Sequence, residues 1–282
     1  MARSLPGKVV AVTGGARGIG RAIAERLAAS GARVAIGDRD LDAAHATARD
    51  IAGTVEAFDC DVTDSASLRG FLSAVEGRWG PIDVLVNNAG VMWVGRFDEE
   101  PEAATERQLA VNLHGVIRGV KLAAPAMRAR GRGHIVTVAS AAAKVSPAGE
   151  ATYAATKHGV FGYLAGVRAE LRGSGVALSV VMPGVVDTEL AAGTATGAAR
   201  LLSPGEVADA VVSVIRRPRF ELTVPGYVGP LTRWADLLPQ RARDLVLRLM
   251  VPDQVAAVPD KAIRARYEAQ HVTDTDGEGT TA

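Results

Sequence analysis

Cysteine is almost missing from this chain of 282 residues. Cys60 is the single thiol, which excludes a disulfide within the chain and any centre built from several thiolates. Aromatic residues are scarce at 4%. An excess of either charge is missing too: 32 Lys and Arg face 31 Asp and Glu, a formal charge of +1. That balance argues against a basic nucleic-acid binder and against a chain built to grip acidic membranes. No uninterrupted apolar run approaches the ~18 residues of a membrane span. Met1 to Gly7 carries neither an apolar stretch nor a cleavage site, so a cytosolic protein is expected. His45, His114, His134, His158 and His271 are scattered, with no carboxylate or second histidine at ligand spacing, and no metal site is predicted. What remains, 48% hydrophobic and 22% charged residues, is an ordinary globular composition able to bury a large core.

Short β-branched apolar runs alternate with helical patterns from Lys8 onward. Strands are predicted at Val9–Val12, Arg33–Ile36, Thr54–Phe58, Ile82–Val86, His134–Val138, Ala177–Met182 and Glu221–Val224. Helices are predicted at Gly18–Ala29, Leu41–Ile51, Ser65–Arg78, Glu102–Arg130, Thr152–Arg172 and Pro204–Arg216. Strands this apolar, separated by helices, predict an α/β fold: a doubly wound, Rossmann-like parallel sheet covered on both faces. This domain spans residues 1–229. Residues 230–270 form a helical extension, in which Leu231–Val251 reads as amphipathic helices broken at Pro239. Residues 271–282 read as a disordered polar tail.

The first strand runs into Thr13-Gly14-Gly15-Ala16-Arg17-Gly18-Ile19-Gly20 and a helix follows. Glycines there let the backbone approach a diphosphate, and the helix presents unpaired N–H groups and its positive dipole end to the same anion. A tight turn without a ligand is the alternative. Asp38 lies at the tip of the second strand, where a carboxylate accepts from the adenosine ribose hydroxyls and repels a 2′-phosphate, favouring NAD over NADP. Arg17 and Arg39 are a counter-signal, and a helix cap is the competing role for Asp38.

Tyr153 and Lys157 stand at i, i+4 near a helix start and so share a face. A phenol titrates near pH 10, and a neighbouring ammonium lowers that value toward a useful acid–base range. Ser140, after the strand His134–Val138, falls at the carboxyl edge of the sheet, where a hydroxyl donates to a substrate oxygen as charge develops.

With these residues in place, the chain resembles the short-chain dehydrogenase/reductase family from Lys8 to Gly226. The resemblance rests on Thr13–Gly20, Asp61-Val62, Asn87-Asn88-Ala89-Gly90, the set Asn112, Ser140, Tyr153 and Lys157, and Pro183-Gly184 followed by Thr188. It implies that Tyr153 is the general acid/base, that Ser140 holds the substrate oxygen, and that Lys157 binds the nicotinamide ribose. It implies too that Asn112 interrupts its helix around a water that serves as a proton relay. The dinucleotide is expected against Gly14, Arg17, Gly18, Ile19, Gly20, Asp38, Asp61, Val62, Asn88, Ala89, Gly90, Tyr153, Lys157, Pro183, Gly184, Val186 and Thr188. Asn87 and Asn88 are expected to brace the central strands as well. Family members pair through the two long helices, here Glu102–Arg130 and Thr152–Arg172, so a homodimer or homotetramer is expected.

His158 reads as structural, and Cys60 between Asp59 and Asp61 as an unreactive thiol. The substrate walls are expected at Val91–Gly95, Ala141–Gly149 and Val185–Leu202, with Val91, Met92, Trp93, Val94, Val145, Pro147, Val185 and Leu190 outnumbering Arg96, Lys144, Glu150 and Glu189. That mix predicts a lipophilic secondary alcohol or ketone. Ala191–Ala199 reads as a mobile lid. In the extension, Trp234, Leu237, Leu238, Leu245, Leu249 and Met250 recur at helical spacing with Arg233, Arg241, Arg243 and Arg248 between them. Such helices pack on the domain or a partner, cover a lipophilic pocket, or contact a membrane surface. The functional expectation is an NAD-dependent alcohol dehydrogenase or carbonyl reductase. Its rivals are an NADPH-dependent carbonyl or 3-oxoacyl reductase and a non-catalytic dinucleotide-sensing protein.

Overall fold

The computed structural model describes residues 3–196, 200–257 and 261–273. Its centre is a seven-stranded sheet in the order β3-β2-β1-β4-β5-β6-β7, with every pairing parallel. The strands are β1 (Val9–Thr13), β2 (Arg33–Asp38), β3 (Thr54–Asp59), β4 (Val84–Asn87), β5 (Gly133–Val138), β6 (Val176–Pro183) and β7 (Glu221–Val224). β1 is VVAVT and buried at every position because each face of the sheet has its own core. Val10 and Val12 enter one core with Ile23, Leu27 and Val211; Val9 and Ala11 enter the other with Leu68, Phe71 and Val116. Alternation along a strand therefore sends apolar groups both ways, which is why these strands carry continuous apolar runs.

The helices are α1 (Gly18–Ala29), α2 (Leu41–Asp50), α3 (Ser65–Trp79), α4 (Glu102–Gln108), α5 (Gly115–Ala129), α6 (Ala151–Glu170) and α7 (Pro204–Arg216). They fall where the sequence places them, with one difference. The long helix expected over Glu102–Arg130 is split by a π-helical segment, Leu109–His114, that contains Asn112. Strand order reverses between β1 and β4, and ligands of doubly wound sheets bind at the carboxyl edge of such a switch point.

After β7 come α8 (Val228–Ala235), α9 (Gln240–Met250), α10 (Gln254–Ala257), α11 (Lys261–Glu268) and a π-helical turn, Ala269–Thr273. The break between α8 and α9 falls at Pro239, the N-cap of α9. Disorder expected from His271 does not begin there. His271–Thr273 continue the helical turn and Val272 is buried, because this stretch packs back on the domain beside α4; residues 274–282 lie outside the described residues. No helix among the described residues is long and apolar enough to cross a membrane.

Two buried polar side chains dock this extension. Gln254 accepts from Ala195 N at 2.8 Å and donates to Ala195 O at 2.9 Å, as a strand neighbour would. Arg264, 3% exposed, donates to Glu268 at 2.6 Å, to Leu190 O at 2.7 Å and to Met92 O. Glu268 in turn accepts from Val94 N at 3.0 Å. The stretch expected as a mobile lid is thus held at Leu190 and Ala195; residues 197–199 of it lie outside the described residues.

Candidate active site

At the carboxyl edge of β1 the chain turns through Gly14, at φ +64°, where a Cβ would lie 2.8 Å from Ala89 Cα. Gly20, in the first turn of α1, is tighter still, since a Cβ there would stand 2.0 Å from Gly14 O. The N-cap of α1, Arg17, gives no side-chain cap, so the first amides of the helix stay open toward the crevice. Asn88 locks the arrangement: its Nδ2 donates to Thr13 O at 3.1 Å and Gly14 O at 2.9 Å, and its backbone N–H donates to Thr13 Oγ1.

Asp38 ends β2 with its carboxylate set by two backbone amides, Ala16 at 3.0 Å and Asp40 at 3.1 Å. The helix-cap role considered for Asp38 belongs to Asp40, whose Oδ1 accepts from Ala43 N. Asp40 also pairs with Arg17, which draws that guanidinium away from Asp38. Asp61 accepts from Thr63 N and Oγ1 at 2.7 Å each, fixing the turn after β3.

All seventeen positions expected around a dinucleotide border one cavity of about 890 Å³, at the upper end of the usual range for ligand sites. Ser140, Tyr153 and Lys157 border it as well. Asn112 does not. Its side chain is fully buried, accepting from Val91 N and donating to Val91 O, both at 2.8 Å, with Thr156 Oγ1 at 3.3 Å. The π-helical segment is what carries this amide to the Val91 backbone.

Tyr153 and Lys157 share a face of α6, with Lys157 Nζ 5.2 Å from the centre of the Tyr153 ring. The Lys157 ammonium is buried yet donates to no described residue, and it opens into the cavity. Burial pushes it down to about 8. The phenol departs from expectation. Burial, and then the charge of Glu150, hold Tyr153 above the ordinary tyrosine range, against a hydrogen bond from Ser140 that works the other way. Burial is the largest cause of that upward shift. Burial also leads the upward shift of Cys60, with Asp61, Asp38 and Asp59 adding to it.

The segments expected as substrate walls meet the cavity in part. Val91, Met92, Val145, Pro147, Val185 and Leu190 border the cavity, whereas Trp93 and Val94 do not. Of the four charged exceptions, Glu150 and Glu189 face it. Arg96 turns outward to Asp98, and Lys144 pairs with Glu221 at 3.0 Å while covering the Phe161 ring. Of the three roles considered for the extension, its residues bear on the covering of an apolar pocket. Leu231, Val246, Leu247 and Val251 close the apolar end of the cavity, and Tyr267 stands over the Tyr153 end with its ring 4.6 Å from the Arg264 guanidinium. His271 lies toward Arg17 and Asp38, and burial and Arg17 hold its imidazole below the usual range. The one available signal was the Arg264–Glu268 pair at i, i+4 beside an aromatic residue.

Glu150 and Lys157 make the stability of the protein sensitive to pH. Burial raises the Glu150 carboxyl to about 7, against Arg264. The native state then keeps a proton that the unfolded chain has lost, so stability falls as pH climbs from 4.5 to about 7. Lys157 acts oppositely: the native state sheds its proton first, and stability rises between about 8 and 10.5. Each displacement corresponds to about 3 kcal/mol. Glu150→Gln is therefore expected to gain up to about 3 kcal/mol in urea denaturation near pH 8 and almost nothing near pH 4. Equal gains at both pH values would contradict this.

A doubly wound sheet that gathers a glycine turn, an acidic strand tip and a Ser–Tyr–Lys cluster at its switch point defines the site of a dinucleotide-dependent oxidoreductase. A family model described as short chain dehydrogenase matches residues 8–198, and the chain belongs to that family. Glycine betaine reductase ATRR of Emericella nidulans is 35% identical over 228 residues, which make up 76% of this chain but only 18% of that protein. The sorbitol dehydrogenase of Cereibacter sphaeroides is 40% identical over 186 residues, covering 66% of this chain and 73% of that one. Among solved structures, a metagenomic short-chain oxidoreductase in complex with NADP is 35% identical, with a TM-score of 0.68 over 78% of this chain and 96% of the other. A short chain dehydrogenase/reductase from Burkholderia phymatum in complex with NAD is 26% identical, with a TM-score of 0.77 over 89% and 98%.

Proposed function

We propose that this protein is an NAD-dependent alcohol dehydrogenase or carbonyl reductase acting on a secondary alcohol or ketone with an apolar body. One observation carries the reading. The phenol of Tyr153, the hydroxyl of Ser140 and the unpartnered ammonium of Lys157 open into the same cavity as the amides of the glycine turn.

A bound nicotinamide dinucleotide supplies the hydride acceptor or donor. The chain's own residues do the rest. The open amides at the start of α1 hold the diphosphate, Asp38 accepts from the adenosine ribose, and Lys157 donates to the nicotinamide ribose. Ser140 donates to the substrate oxygen, and Tyr153 Oη exchanges a proton with it. Because burial pushes the phenol up, base action by Tyr153 depends on positive charge: the Lys157 ammonium and the charge that an oxidised cofactor would bring. Asn112, through Val91, fixes the backbone that borders this end of the cavity.

NAD is preferred because Asp38 is aimed by two amides and Arg17 is occupied by Asp40. A 2′-phosphate would meet the carboxylate directly, and like charges in contact cost several kcal/mol. Side-by-side titration is expected to show NAD binding at least about tenfold more tightly than NADP, with the gap narrowing in Asp38→Ser. Steady-state assays with simple secondary alcohols are expected to show NAD reduction. Equal or tighter NADP binding would refute the cofactor assignment, and absence of turnover with either cofactor across a panel of alcohols and ketones would refute the activity.

A further inference from the structure

Among the described residues Glu150 is the carboxylate whose charge acts on the Tyr153 phenol, and nothing in the reaction scheme uses it. It is the N-cap residue of α6, yet its carboxylate makes no cap hydrogen bond. The residue is 7% exposed, and its side chain accepts no hydrogen bond and forms no ion pair with any described residue. It borders the cavity and lies three residues before Tyr153, just ahead of the first turn of α6. Its charge is felt at the phenol. A buried carboxylate without a donor is costly unless something else supplies one.

We infer that Glu150 is a specificity-determining residue that accepts a hydrogen bond from a second hydroxyl of the substrate, next to the reacting carbinol, so that the preferred substrates are vicinal diols and α-hydroxy ketones with an apolar body. The inference deepens the activity proposed above and rests on it. Two features select the donor. Ser140 and Tyr153 already claim the reacting oxygen, leaving Glu150 for a neighbouring group. Arg264 faces Glu150 from α11, so a substrate ammonium would meet like charge there, whereas a neutral hydroxyl would not. Leu231, Leu247 and Val251 also line the cavity, which suits a hydrocarbon remainder.

The test compares phenyl glycol with methyl phenyl carbinol, which share the ring and the secondary carbinol and differ by the adjacent hydroxyl. Above about pH 8, where Glu150 has lost its proton, a hydrogen bond to a charged acceptor predicts a preference of at least about tenfold for the diol in kcat/KM with NAD. Glu150→Ala should bring that ratio close to unity, and Glu150→Gln, which keeps the volume and a neutral acceptor, should keep part of it. A merely structural role would lower both substrates together and leave the ratio unchanged, which would overturn the inference. The same pair is titrated by calorimetry into NAD-loaded Tyr153→Phe, with and without Glu150→Ala. Tighter diol binding that vanishes with Glu150 upholds the assignment even where turnover is absent, in which case the proposed activity alone falls. Equal binding of the two alcohols overturns it whatever the turnover.

Discussion

Tyr153→Phe is expected to lower turnover by about 10³-fold while leaving dinucleotide affinity close to that of the native chain. The ring occupies a buried position on α6, 7% exposed, and phenylalanine fills that space without loss of packing. The amides and carboxylate proposed to hold a dinucleotide lie elsewhere, at the start of α1 and on Asp38, and Lys157 is untouched. What disappears is the phenol proposed to exchange a proton with the substrate oxygen. The loss should appear in kcat, since the missing interaction belongs to the transition state. Stopped-flow measurement of the first turnover, with fluorescence titration of the cofactor, separates the two quantities. A variant that turned over within a few-fold of the native rate would end the acid–base assignment.

The second large effect is expected at Arg264. Its guanidinium spans three segments: Glu268 on α11, Met92 after β4 and Leu190 after β6. Arg264→Ala would leave Glu268 uncompensated in a buried setting, and breaking a buried pair from one side costs about 3–5 kcal/mol. The sheet does not depend on this contact, so the cost falls on the local equilibrium that keeps residues 254–273 seated. Hydrogen exchange should accelerate there and at residues 189–196, while the strands stay protected. KM for the substrate should rise at least about tenfold because the wall carrying Tyr267 is no longer held. Unchanged exchange in both segments would show that the extension is seated by other means.

The sheet was legible because parallel strands buried on both faces write themselves as unbroken β-branched runs, and VVAVT needs no partner sequence to be read. Tyr153 and Lys157 were legible because helical spacing brings them together locally, and the glycine turn because four close glycines where a strand passes into a helix serve few other ends. What escaped was set by tertiary burial. Arg96, Lys144 and Glu150 look alike as isolated charges in a loop. Only the fold sends the first two to surface carboxylates and the third into the cavity. Arg264 and Tyr267 sit in a stretch whose polar composition matches an exposed helix, and the partners of Arg264 include residues more than 70 positions away. The direction of the Tyr153 shift was missed for the same reason: a sequence shows the neighbouring lysine but not the water that burial removes.

The strap formed by residues 254–273 divides labour within the chain. The groups assigned to cofactor and proton sit on strands and helices completed before β7, whereas much of the chamber's apolar end and Tyr267 are contributed afterwards. During synthesis the chemical apparatus can assemble before its selectivity is decided, and mutations in the late segment can retarget the enzyme without touching the parts that react. Divergence among relatives that share the core would then be concentrated where the chain folds last.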